Sequence, residues 1–346
     1  MKMTTLKSVA IAVGLCSSAF GQATSPVVGY ETLAIEPGLN FVGLRLHEKP
    51  VASGQLESAT ASTVTDDDVL LGDLIVSGTY ILELEDGSGI IQEVVTGAGN
   101  SLDVAADLTS LSFPVSYTLR PSATLESVFG SEVVGGNLTS GLAVGGASSA
   151  GADQIWLWNG SSFDKYYFDE FAESTGFSSA AWVNLANSGA PVDASAVNLV
   201  YADGFVISSA SGNDFTVAGD LKAAATELNL QSGLNFVSAV APVGVESIED
   251  AFGSSYSNGF LDSGLAIGGA SSAGADQVWV WNGSGFDKYY FDEFAPSTGF
   301  ASAAWVNLAD TNASVDPSAV NLGSGFVISS GGGNATVATP EIYEGL

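Results

Sequence analysis

The chain has 346 residues, 38 of them acidic against 8 basic, a net charge of −30 and a single cysteine. That balance repels phosphate backbones and anionic bilayers, which excludes nucleic acid and membrane surfaces as partners. Hydrophobic residues make up 46% of the chain, too many for a compositionally disordered protein, and its 42 glycines follow no Gly-X-Y period, which excludes a collagen-like fold.

The N-terminus has the three-part layout of a secretory signal peptide: basic Lys2 and Lys7, apolar Val9–Leu15, and a small-x-small site at Ala19-Phe20-Gly21. Residues 1–21 are therefore expected to be removed, leaving Gln22 first. The apolar stretch falls short of the ~20 residues that cross a bilayer, so no membrane span is expected. Leu15 before Cys16 argues against lipidation there. The mature chain keeps six basic residues against 38 acidic ones, a net charge of −32. It keeps no cysteine, so neither a disulfide nor a thiolate metal site is available. Export places the protein outside the cytoplasm, in the periplasm, at the surface or in the medium.

Residues 22–110 read as a divergent β unit, followed by two repeat units, 111–221 and 222–346. The evidence for repetition is direct: Ser140–Ala186 recurs as Ser263–Ala309 with six of 47 positions changed. Weaker echoes lie outside that block. Gly38-Leu-Asn-Phe-Val42 recurs as Gly233-Leu-Asn-Phe-Val237, and Gly204-Phe-Val-Ile-Ser-Ser209 as Gly325-Phe-Val-Ile-Ser-Ser330.

Leu125, Val128 and Phe129, then Gly130, predict one helical turn with a glycine C-cap, repeated at Ile248, Ala251, Phe252 and Gly253. In Gln154–Trp158 apolar residues point to both faces, which predicts a strand covered on both sides. Asn159-Gly160 predicts a type I′ turn into a partner strand at Phe163–Phe168. The same hairpin recurs at Gln277–Trp281, Asn282-Gly283 and Phe286–Phe291. Further strands are expected at Ala181–Leu185, Gly204–Ser208 and Phe215–Ala218. The fold class is mostly β: tandem antiparallel β-sandwich or barrel-like units with one short helix each.

Chemistry is sparse. His47 is the only histidine and reads as a surface residue at a strand end, so no histidine-based hydrolase and no catalytic residue is predicted. A carboxylate pair could serve a glycoside hydrolase, with Asp153, Asp164, Asp169 and Glu170 and their counterparts Asp276, Asp287, Asp292 and Glu293 as candidates. With so many acidic residues such pairs arise by chance. No cofactor is expected. Structural calcium is the one metal considered, with Thr65-Asp66-Asp67-Asp68 as candidate loop and a solvated turn as the plainer alternative. Aromatic residues recur in both copies: Trp156, Trp158, Tyr167 and Trp182, then Trp279, Trp281, Tyr290 and Trp305. Exposed, they would stack on sugar rings; buried, they fill cores poor in leucine, and the core reading is favoured.

Ala152-Asp153-Gln154-Ile155, Tyr166-Tyr167-Phe168, Trp182 and Gly204-Phe205-Val206-Ile207, preceded by Arg120-Pro121, Thr124-Leu125 and Phe129-Gly130, resemble a family of secreted proteins of verrucomicrobial bacteria. The opening Val27-Val28-Gly29-Tyr30 fits as well. The chain departs from that pattern at Ala123, where the family places tryptophan, at Phe168 in place of a third tyrosine, and in carrying the Ala-Asp-Gln block twice. The resemblance implies export and a β-rich fold, and no activity. The sequence thus favours an exported, non-catalytic protein with a surface, matrix or structural role. A glycan-binding module with a glycan or surface-protein partner comes second and a carboxylate-dependent glycoside hydrolase third.

Overall fold

The computed structural model describes residues 28–146, 148–171, 179–222, 224–269, 271–294, 302–338 and 341–343. The expected signal segment, 1–21, lies outside them. The chain opens with strands β1 (Val28–Ile35) and β2 (Gly38–Gly43). Then come β3 (Ala52–Leu56), β4 (Tyr80–Leu84), β5 (Ile91–Val94) and β6 (Val115–Pro121). Helix α1 (Leu125–Phe129) leads into β7 (Gln154–Trp158), β8 (Phe163–Asp169), β9 (Ala181–Asn184), β10 (Gly204–Ser209) and β11 (Asn213–Asp220). A second series follows: β12 (Thr226–Leu230), β13 (Gly233–Ser238), α2 (Ile248–Phe252), β14 (Gln277–Trp281), β15 (Phe286–Asp292), β16 (Ala304–Asn307), β17 (Asp310–Ser314), β18 (Gly325–Ser330) and β19 (Gly333–Val337). The fold is mostly β and antiparallel, and no helix among the described residues is long and apolar enough to cross a membrane.

Each copy is a sheet backed by a two-stranded ribbon and a single helical turn. The first sheet runs β9-β8-β7-β10-β2, with ribbon β1/β11; the second runs β13-β18-β14-β15-β16-β17, with ribbon β12/β19. Period-2 alternation turns Ile155, Tyr166, Phe168, Trp182, Phe205 and Ile207 to one face, where they join the main core. Phe129 of α1 fills the layer above them. It stacks on Phe215 of the ribbon at 5.0 Å and meets Phe205 of the sheet edge-on at 6.0 Å. Both helices carry a capping box, Thr124 with Ser127 and Ser247 with Asp250, and end on glycines at φ 71° and 67°.

The strand pairing divides the chain differently from the sequence boundary near residue 110. Strand β2 pairs with β10, Val42 opposite Phe205, just as β13 pairs with β18, Val237 opposite Phe326. Asn40 and Asn235 lock the two equivalent strand pairs alike, each amide donating across to a carbonyl of the partner strand, Ile207 or Ile328, at 3.2 Å. The opening strands thus belong to the first copy's sheet. Strands β3-β6-β4-β5 and four short strands between residues 58 and 103 form a pair of sheets with a separate core around Leu56, Leu82, Tyr117 and Leu119. This pair of sheets is inserted between β2 and α1, where the second copy has only the short link from β13 to α2.

The hairpin turns also differ from expectation. Trp158 pairs with Phe163, so the loop has four residues, and positive φ falls on Gly160 (90°) but not on Asn159. The Asn159 carboxamide oxygen accepts from Ser161 N (3.1 Å) and Ser162 N (2.9 Å), as Asn282 does from Ser284 N and Gly285 N. The side chain does the work of a turn carbonyl, so asparagine need not take the left-handed conformation that a type I′ turn demands.

Candidate functional site

The eight candidate aromatics fall into two groups. Trp182 and Trp305 are each 2% exposed, and their indole N–H groups donate to Gly130 O (2.9 Å) and Gly253 O (3.0 Å). Tyr167 and Tyr290 are buried too, under Gly145 and Gly268, where a Cβ would come within 3.0 and 2.9 Å of the rings. These four cannot stack on a sugar. The two tryptophans belong to the main core and, through Gly130 and Gly253, tie each helix end to its sheet, while Tyr167 packs with Ala152 and Val183 on the other face.

Trp156, Trp158, Trp279 and Trp281 are half-buried, on the sheet face opposite Trp182 and Trp305. Trp156 donates to Gln154 Oε1 (3.0 Å) and carries the Lys165 ammonium 3.6 Å over its ring; Trp279, Gln277 and Lys288 repeat both contacts. One ring face is thus already taken by a cation. Trp158 packs on Phe163 at 5.1 Å and on Phe236 of the other copy at 5.2 Å, and Trp281 mirrors this with Phe286 and Phe41 at 5.2 Å each. The two sheets therefore face each other through these aromatics, which is why both sides of β7 and β14 are apolar.

Four of the carboxylates repeated between the copies serve the fold. Asp153 and Asp276 are buried and accept from Ala143 N and Ala266 N, each at 2.9 Å. Asp169 and Asp292 are buried and accept from Phe171 N and Phe294 N, each at 2.8 Å. They hold the loops beside each sheet.

His47 is 3% exposed, not a surface residue. Its Nε2 lies 3.1 Å from Val240 O of the second copy and its ring meets Tyr201 edge-on at 4.4 Å. Burial first, then the nearby Arg120 and Lys222 cations, hold its pKa well below the usual histidine range. Arg120 pairs with Glu83 at 2.8 Å, and its Nη1 donates to Glu48 O, also at 2.8 Å. The Lys222 ammonium donates to Ala224 O and Ala225 O, each at 2.7 Å. The insertion, the first copy and the second copy all meet around this histidine, and the local pattern Leu46-His47-Glu48 gives no sign of it.

Glu57, Asp66 and Asp68 bring carboxylate oxygens within 4.8 Å of one another. This donor set suits a hard cation such as calcium, which takes six to eight oxygens. Asp66 is no solvated turn residue: it is buried and accepts from Asp68 N (2.8 Å), Val69 N (3.1 Å) and the Tyr117 hydroxyl (2.7 Å). Burial and that bond push the Tyr117 pKa upward.

A cleft of about 680 Å3 lies where the three parts of the chain meet. Strand β5 and the loop at 105–108 form one wall, the end of β7 and residues 198–205 a second, and β12 with the start of β13 a third. Trp158 and the buried Phe236 give it an aromatic floor. Asn229, Gln231, Asn334, Glu93, Asp203 and Glu227 bring polar groups to its lining. Asp203 opens onto the cleft, yet protein crowds its carboxyl on the other sides. Lost hydration, then repulsion from Glu93, push its pKa up to about 7. Asn334 Nδ2 donates to Glu227 Oε1 at 2.9 Å, and burial raises the Glu227 pKa. Gly204 and Gly325 occupy equivalent places, but the residue before them is Asp203 in one copy and Ser324 in the other. Of the eight candidate aromatics only Trp158 lines this cleft. No family model, curated protein or solved structure matches the chain.

Proposed function

We propose that this chain is an exported, non-catalytic protein with a surface or matrix role, and that it engages a saccharide in the cleft where the insertion meets the two copies. The observation that carries the reading is the cleft itself. Its volume is that of a small-ligand site, and it combines an indole and a phenyl ring with carboxamides and carboxylates. Aromatic rings take the apolar face of a pyranose, and amide and carboxyl groups pair with its hydroxyls. The signal-like segment around Lys2, Lys7 and Ala19-Phe20-Gly21 supports export. The glycan-binding role thus moves from two duplicated aromatic faces to one site where the insertion meets both copies.

The test is a glycan array probed with the mature chain, Gln22–Leu346, and with Trp158→Ala and Trp281→Ala variants. Binding to one glycan class, lost in Trp158→Ala and kept in Trp281→Ala, is the expected result. Equal loss in both would return the function to the duplicated rings. Absence of any glycan signal would remove the saccharide reading.

A further inference from the structure

The charge of the cleft narrows its ligand. Its carboxylates come from every part of the molecule: Glu93 and Asp107 from the insertion, Asp203 from the first copy and Glu227 from the second. Among the described residues, no lysine, arginine or histidine lines it. Asp203 and Glu93 act on each other as like charges, with no cation among the lining residues to offset them. The buried cations of the junction are engaged elsewhere, Arg120 with Glu83 and Lys222 with two backbone carbonyls. Arg45 is paired with Glu31. An indole face attracts a cation as well as a sugar ring, as Lys165 over Trp156 shows in this same sheet.

We infer that the cleft selects a saccharide carrying a free amino group, its ammonium lying between Asp203 and Glu93 while the sugar ring meets Trp158. This rests on the saccharide reading and adds the charge of the ligand to it. An anionic sugar, whether uronate or sulfated, is repelled. A neutral sugar leaves the Asp203–Glu93 repulsion in place. An ammonium relieves it by forming a charge-assisted hydrogen bond to each carboxylate.

The experiment is isothermal titration calorimetry of the mature chain at low salt with glucosamine oligomers, their N-acetylated counterparts of equal length, and galacturonate oligomers. The free-amine oligomer is expected to bind at least about tenfold more tightly than the N-acetylated one, the scale of a charge-assisted hydrogen bond, and the galacturonate not at all. Added salt should shrink the preference. Asp203→Asn with Glu93→Gln should erase the preference for the free amine over the N-acetylated oligomer. Equal or tighter binding of the N-acetylated oligomer overturns the amine inference and leaves the saccharide reading standing. Failure of every oligomer to bind overturns both.

Discussion

Phe41 of the first copy stacks on Phe236 of the second with ring planes 11° apart and centroids 5.9 Å apart. The two occupy the same place in the recurring Gly-Leu-Asn-Phe-Val segment, so a pseudo-twofold axis passes between them. The contacts on either side are reciprocal: Phe41 meets Phe286 at 4.8 Å and Phe236 meets Phe163 at 4.8 Å. One chain has thereby built the self-complementary interface of a twofold dimer.

The sheets meet backbone to backbone at glycines, and a methyl group there should separate them. A Cβ on Gly325 would come within 2.6 Å of the Val42 backbone, and one on Gly43 within 2.2 Å of Ser324 O. Gly325→Ala is expected to cost roughly 1–3 kcal/mol or more in chemical denaturation, as overpacking does. Gly285→Ser is the control: a Cβ at Gly285 has open space, and the first copy carries Ser162 there. Equal stability of the two variants would mean that the sheets do not approach this closely.

Trp182→Phe and Trp305→Phe each remove the donor to a helix-end carbonyl in the core. Each should cost about 2–4 kcal/mol, from the lost bond and the space left behind. Because the two contacts are equivalent, the costs should agree to within about 1 kcal/mol.

Asp203 gives stability a pH slope of known sign. Its pKa of about 7 in the folded chain exceeds the ordinary 3.8, so between those values the folded state binds more protons than the unfolded one. Its contribution is therefore complete at the acid end and is lost as pH rises towards 7. Asp203→Asn should gain melting temperature relative to the parent at pH 8 and little at pH 4.5. A gap between the two proteins that stays constant across this range would contradict the assignment.

His47 runs the other way. Being the only histidine, its imidazole carbon–proton signal in an NMR spectrum needs no assignment. Its lowered pKa predicts a titration midpoint well below the ordinary 6.5 while the chain stays folded. Below about pH 6.5 the unfolded chain takes up a proton there that the folded one refuses, so stability falls as the medium acidifies. A signal titrating near 6.5 would place the ring in solvent.

The buried Arg120–Glu83 pair should be costly to break and cheap to replace. Glu83→Gln leaves a buried guanidinium without its carboxylate, at a cost of about 3–5 kcal/mol in denaturant unfolding. Arg120→Met with Glu83→Leu should recover most of that loss.

Local features were legible in the sequence. The run Gln154–Trp158, apolar on both faces, the turn pair Asn159-Gly160 and the aromatic run after it located β7, β8 and their counterparts, and Gly130 and Gly253 marked the helix ends. What escaped was set by distant partners. Strand β2 carries the same Gly-Leu-Asn-Phe-Val as β13, a signal of equivalent position, but its partner β10 lies some 160 residues on, and pairing at that range leaves no local trace. His47 is buried by Val240 from another part of the chain. The cleft, assembled from three segments, was invisible for the same reason, and Asp203 looked like one carboxylate among many until the fold set Glu93 near it.

Strand β1 pairs with β11 from Val28 opposite Asp220 to Ile35 opposite Asn213. The first segment of the described chain must therefore wait for residues made some 180 positions later before its ribbon can close. The insertion, whose strands pair with near neighbours, can order itself during that delay, while the first copy's apolar face stays uncovered. Contacts so distant in sequence slow folding and lengthen the time that such a face is open to wrong partners. A net charge of −30, which keeps unfinished chains apart, is well suited to that interval.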